Sequence, residues 1–158
     1  MKKLYLAQID RQLFAVDRKD VIGVGVYNAD ASGPARKSGR QYLLLPNGKR
    51  AMMCDLRTLM TGHDAEAPVR QHYLIVNQTD LVLGLAMDGK GKTITMDVAA
   101  ARPLPPAFTG QSRILVPGVL TGGRDLIFLL DLQAVLDEMR VRGVLESSGS
   151  DPGTKGEA

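Results

Sequence analysis

A chain of 158 residues with 44% apolar and 23% charged residues has room for one domain, or for two small lobes that share a core, and is not a candidate for wholesale disorder. The net charge is only +3, there is no Trp, and four Tyr and three Phe supply all the aromatic rings. Nucleic-acid binders concentrate positive charge and offer rings for stacking, so that class is not expected, despite the closeness of Arg36, Lys37 and Arg40. Cys54 is the single cysteine, which excludes an intramolecular disulfide and a cysteine-rich zinc site. The opening MKKLYLAQID is too briefly apolar for a signal peptide, and no segment approaches the roughly 20 apolar residues of a membrane span. A cytoplasmic protein that does not insert into a membrane is therefore expected.

In chain order, residues 4–10 and 12–17 are short apolar runs split at Asp10-Arg11 and read as a β-hairpin. DVIGVGVY (20–27) has the alternation of a strand, and Gly23 and Gly25 suggest a bulge or the close approach of another backbone. Residues 28–40 read as loop. QYLLL and RAMMC flank Pro46-Asn47-Gly48, a strong hairpin signal because Asn and Gly tolerate positive φ. Asp55 is placed to cap a short helix carrying Leu56, Leu59 and Met60 on one face, with Gly62 ending it and a polar linker over 61–70. HYLIVNQ and LVLGLAMD predict a hairpin turning at Thr79-Asp80, and TITMD (93–97) a further strand. Pro103, Pro105 and Pro106 make 99–112 an extended connector. RILVPGVL, a Gly122-Gly123 turn and DLIFLL form a third hairpin. Asp131 then caps an amphipathic helix with Leu132, Val135, Leu136 and Met139 on its inner face. Residues 141–158 read as a disordered tail.

The two halves echo one another. Each reads hairpin, strand, loop, hairpin, Asp-Leu helix. The pairs Asp55-Leu56 and Asp131-Leu132 lie 76 residues apart, and Tyr5-Leu6 matches Tyr73-Leu74 at an offset of 68. Self-similarity on this scale points to two related β-lobes.

No constellation for catalysis stands out. In GKGKT (89–93) the position where a phosphate loop requires its first glycine is Ala86, and Gly23-x-Gly25 lacks a third glycine because Asn28 stands there. Cys54 sits in an apolar run, as a buried structural thiol does. His63 and His72 lie in or beside a polar linker, and Asp55 and Asp131 read as caps. A non-enzyme without metal or cofactor is expected.

The same segments resemble the CheW-like domain family, the coupling proteins of bacterial chemotaxis. VPGVLTGGRDLIFLLDLQAVL (116–136) is similar to that family's C-terminal strand–turn–strand–helix, NGKRAMMCDLRTLM (47–60) to its central segment ending in "DLR", LVLGLAMDG (81–89) to its "VGLVVDxV" strand, and LYLAQIDRQLFAVDRKDVIGV to its opening strands. The likeness runs from about Leu4 to Met139. It implies an all-β fold with short helices, in which two five-stranded SH3-like β-barrels share an apolar seam within a single domain over 1–140. Lobe one would cover about 15–65 and lobe two about 71–135, with the N- and C-terminal segments packing across. It further implies an adaptor that holds the regulatory domain of a CheA-type histidine kinase against the cytoplasmic tip of a chemoreceptor. Matched by position, the receptor groove draws on Val21, Val24 and Ile94, and the kinase side on Asn47, Gly48 and Arg57.

Three departures accompany the likeness. Asn47 occupies the place of the family's turn arginine and cannot replace its five-donor fork. Arg40-Gln41-Tyr42-Leu43 replaces a more apolar segment, and Lys90 and Lys92 replace apolar positions after Asp88. These motivate an alternative expectation, a small-ligand sensor or accessory domain of the same fold that has lost kinase coupling.

Overall fold

The structure is a computed structural model and describes residues 1–26, 35–37, 40–61, 72–79, 81–105 and 111–141. The expected linker (apart from Thr61), Gly62, His63, Asp80 and the tail beyond residue 141 lie outside the described residues. Two hairpins open the two halves, β1 (Lys2–Ile9) with β2 (Gln12–Asp17), and β7 (His72–Gln78) with β8 (Leu81–Met87). The first turns through Asp10 and Arg11, both in the left-handed region at φ 51 and 70. Each opening hairpin is followed by a single strand, β3 (Val21–Val26) or β9 (Lys92–Met96). Each half then closes with a second hairpin and a helix: β5 (Arg40–Leu44), β6 (Arg50–Cys54) and α1 (Leu56–Thr61), then β10 (Gly118–Gly122), β11 (Asp125–Leu129) and α3 (Leu132–Val141).

The strands form two curled sheets. One runs β10-β11-β2-β1-β9; the other runs β3-β7-β8-β6-β5-β4, where β4 (Ala35–Lys37) is a three-residue addition to a core of five. Part of the segment expected as loop thus pairs, Ala35 opposite Tyr42 and Lys37 opposite Arg40. Sheet membership also departs from the expected lobes at 15–65 and 71–135. In both sheets the central hairpin comes from one repeat while the flanking strand and hairpin come from the other. The repeats meet at two pairings in each sheet, an antiparallel one (β1 with β9, β3 with β7) and a parallel one, Phe14 beside Phe128 and Met52 beside Leu83. The halves are legible as sequence units, but they exchange their opening hairpins, so neither half is a lobe.

Pairing also fixes the repeat register. Phe128 and Met52 occupy matching places, in keeping with the offset of 76 seen in the Asp-Leu pairs. The opening hairpins superpose turn on turn, matching Ile9 to Gln78 and so Tyr5 to Leu74. The Tyr5–Tyr73 equivalence is therefore out by one residue, and a slip of one exchanges the faces of a strand. Tyr73 indeed points into the interior of its own sheet, whereas Tyr5 packs on the seam.

The core has three compartments. Leu4, Leu6, Ala15, Leu120 and Ile127 fill the inside of one curled sheet, and Leu43, Ala51, Tyr73, Ile75 and Ala86 fill the other. A larger seam lies between them, where Val16, Leu74, Val76, Leu83, Leu85 and Phe128 meet the inner faces of the helices. Strands β7 and β8 are buried on both faces, which is why their sequences read as nearly continuous apolar runs. Phe14 and Phe128 meet edge to face at 5.6 Å in the seam.

Helix α3 begins as expected: the Asp131 carboxylate accepts from the backbone N–H of Gln133 at 3.0 Å and of Ala134 at 3.2 Å. Leu132, Val135, Leu136 and Met139 are all buried. The expected strand over 113–120 is corrected in its first half. Gln111–Leu115 form a short helix, α2, whose last carbonyl accepts from the Asp131 N–H at 2.9 Å. Pro117 separates it from β10, and Leu115 and Val116 are buried in the seam.

Candidate protein-binding site

Strand β3 ends its sheet, pairing only with β7 among the described residues. The register shifts between Val21 and Gly23, a bulge after which Val24 lies opposite Leu74 and Val26 opposite His72. Cross-strand partners share a face. Leu74 belongs to the seam, so Val24 lies on the seam face, at its solvent margin. Gly25 lies on the other face, and a Cβ there would come within 2.8 Å of Leu43 and 3.2 Å of Ile75. The bulge reading thus holds beside Gly23, whereas Gly25 is closely approached by the side chains of Leu43 and Ile75 and not by another backbone.

The outward row of β3 is apolar and wet: Ile22 is 57% exposed, Val24 37% and Val26 49%. Apolar side chains so aligned on a terminal strand are the part of this surface best suited to another protein. Of the three residues matched to the receptor groove, only Val24 lies in this row. Val21 turns inward and is 9% exposed in the seam. Ile94, opposite Leu4, packs into the interior of the other sheet. The places in β9 that match the outward row of β3 are Thr93 and Thr95, both exposed. Ile22 and Val26 complete the exposed row, and the alternation of the segment carries the signal for it.

Elsewhere in the same sheet, Asn47 and Gly48 form the exposed tip of the β5–β6 hairpin. Gly48 donates to the Leu45 carbonyl at 2.9 Å and Leu45 to the Lys49 carbonyl at 2.8 Å, closing a three-residue loop. Only Gly48 takes a positive φ, of 85°. Asn47 instead accepts the Lys49 N–H through Oδ1 at 2.9 Å, which ties its amide to the turn. Lys49 and Arg50 are exposed beside it, and Leu44, paired with Arg50, is 48% exposed. Arg57 lies in α1, and its side chain is outside the described residues.

Burial, and secondarily the charge of Asp55, push the Cys54 thiol up to about 12, so it stays protonated and unreactive at neutral pH. Among the described residues no three His, Cys, Asp or Glu side chains gather as metal ligands, and no helix is long and apolar enough to cross a membrane. A void of ≈ 10 Å³ in the seam, lined by Tyr5, Phe14, Leu56, Met87 and other apolar groups, is too small for an organic ligand.

Against this geometry, the sequence matches the model of the CheW-like domain over residues 3–140. The chain belongs to the CheW-like domain family. The family is one of chemotaxis scaffold and adaptor proteins, and this member keeps its architecture of two curled sheets. The scaffolding protein TtCheW from Thermoanaerobacter tengcongensis has the same fold, with a TM-score of 0.62 at 20% identity, over 83% of this chain and 84% of that one. No curated protein matches the sequence.

Proposed function

We propose that this CheW-like protein is a cytoplasmic, non-enzymatic adaptor that holds a chemoreceptor tip and the regulatory domain of a CheA-type histidine kinase on one scaffold. The observation that carries the reading is the exposed apolar row Ile22, Val24, Val26 at the margin of the seam. It offers a rigid, preformed strip to the apolar face of a receptor helix. The exposed β5–β6 tip belongs to other strands of the same sheet and offers a separate surface to a second partner. Bivalent binding raises the local concentration of each partner for the other without bond chemistry. A ligand-sensing role finds no support in the seam void, and Lys90 and Lys92 belong to a segment with a structural task described below.

The test is binding of a purified receptor-tip fragment to the wild-type protein and to the double variant Ile22→Glu, Val24→Glu. Both side chains are already wet, so the thermal midpoint should hold while affinity falls by roughly tenfold or more. Unchanged affinity in a folded double variant would remove β3 from the receptor surface.

A further inference from the structure

The chain passes between the two sheets twice, from β2 to β3 through a 3-10 turn at Arg18–Asp20, and from β8 to β9 through residues 88–91. The second passage is GKGKT, the segment that resembles a phosphate loop and is not one. It lies tightly against β1. The Asp88 N–H donates to the Gln8 carbonyl at 2.7 Å, and Asp88 Oδ2 accepts the Asp10 N–H at 2.7 Å. Gly89 turns the chain at φ 67°, and a Cβ on Gly91 would run into the Leu6 carbonyl oxygen and the Tyr5 ring. Lys92 then enters β9 opposite Leu6. The turn that Asp88 grips is itself strained, since neither Asp10 nor Arg11 is a glycine and both hold positive φ.

These contacts span both lobes. Asp88 ends β8 in one sheet, while Gln8 and Asp10 belong to the opening hairpin of the other. We infer that Asp88 is the positioning residue of an inter-lobe strap: it pins the β8–β9 passage to the β1–β2 turn and so sets the angle between the two sheets. Glycine is required at 89 for the turn and at 91 for contact with β1, and Lys90 and Lys92 are exposed and serve as its solvated face.

The strap can be tested without any partner. Spin labels at Lys49→Cys and Arg124→Cys, both exposed hairpin tips on different sheets, report the inter-lobe distance. The native Cys54 is buried and does not compete for label. Asp88→Ala should broaden and shift the distance distribution and speed amide exchange at Asp10, while Asp88→Asn, which keeps a side-chain acceptor oxygen, should restore both. A wild-type distribution in a folded Asp88→Ala protein, or an Asp88→Asn protein indistinguishable from Asp88→Ala, would overturn the inference.

Discussion

Asp17 ends β2 and receives Lys2 Nζ at 2.9 Å, Lys19 Nζ at 3.9 Å and the Lys19 N–H at 3.1 Å. Burial pushes its carboxyl up, but the hydrogen bond from Lys2, the Lys19 amide and the two ammonium charges outweigh that and hold it below the usual 3.8. A depressed folded value means that the stabilisation is complete above the unfolded value and is lost as pH falls through the lower folded one. Asp17→Asn should therefore cost about 0.5–1 kcal/mol at pH 7, and the difference from wild type should shrink in denaturant titrations as the pH falls through the depressed folded value. Other residues were less legible. Val21, Val24 and Ile94 look alike in sequence, yet Val21 is buried in the seam, Val24 sits at the solvent margin of the seam and Ile94 packs into a sheet interior. Which side of a strand meets water depends on register, and register depends on a bulge and on partners far away in sequence. The task of Asn47 was hidden for a related reason. Its side chain serves its own turn, and only the three-dimensional loop reveals that its φ is not the positive one.

Elements with strong local signals were readable. The hairpin over 41–54, the β7–β8 pair and helix α3 follow from turn chemistry, alternation and an Asp cap, all of which act within a few residues. The Asp131 cap can be weighed directly: Asp131→Ala leaves two amides without their acceptor and should cost about 1 kcal/mol, seen as a fall of about 2–4 °C in the thermal midpoint. Helix α2 escaped because Ile114, Leu115 and Val116 are as suited to a strand as to a helix. The choice is made by packing of Leu115 and Val116 into the seam and by the bond from Asp131. Strand β4 escaped because Ala35–Lys37 has no apolar pattern and exists only through pairing with β5.

At the scale of the molecule, duplication was legible and its consequence was not. Matching motifs identify two repeats, but only strand pairing shows that each repeat lends its opening hairpin to the sheet of the other. Since neither sheet is complete without both repeats, the halves should not unfold separately. Calorimetry should show one transition with a calorimetric to van't Hoff enthalpy ratio near 1, whereas two resolved transitions would mean that the lobes are independent. The same intertwining suits a scaffold, because it couples the β3 margin and the β5–β6 tip through one shared core.

The central claim is that this core serves to hold a kinase and a receptor together. The most direct measurement is calorimetric titration of the protein with the regulatory domain of a CheA-type kinase from the same organism, repeated with receptor tip already bound. The account predicts micromolar or tighter binding in both titrations, since the two surfaces are carried by different strands and share no residue. No binding to such a kinase domain, or loss of kinase binding once the receptor tip is present, would contradict it.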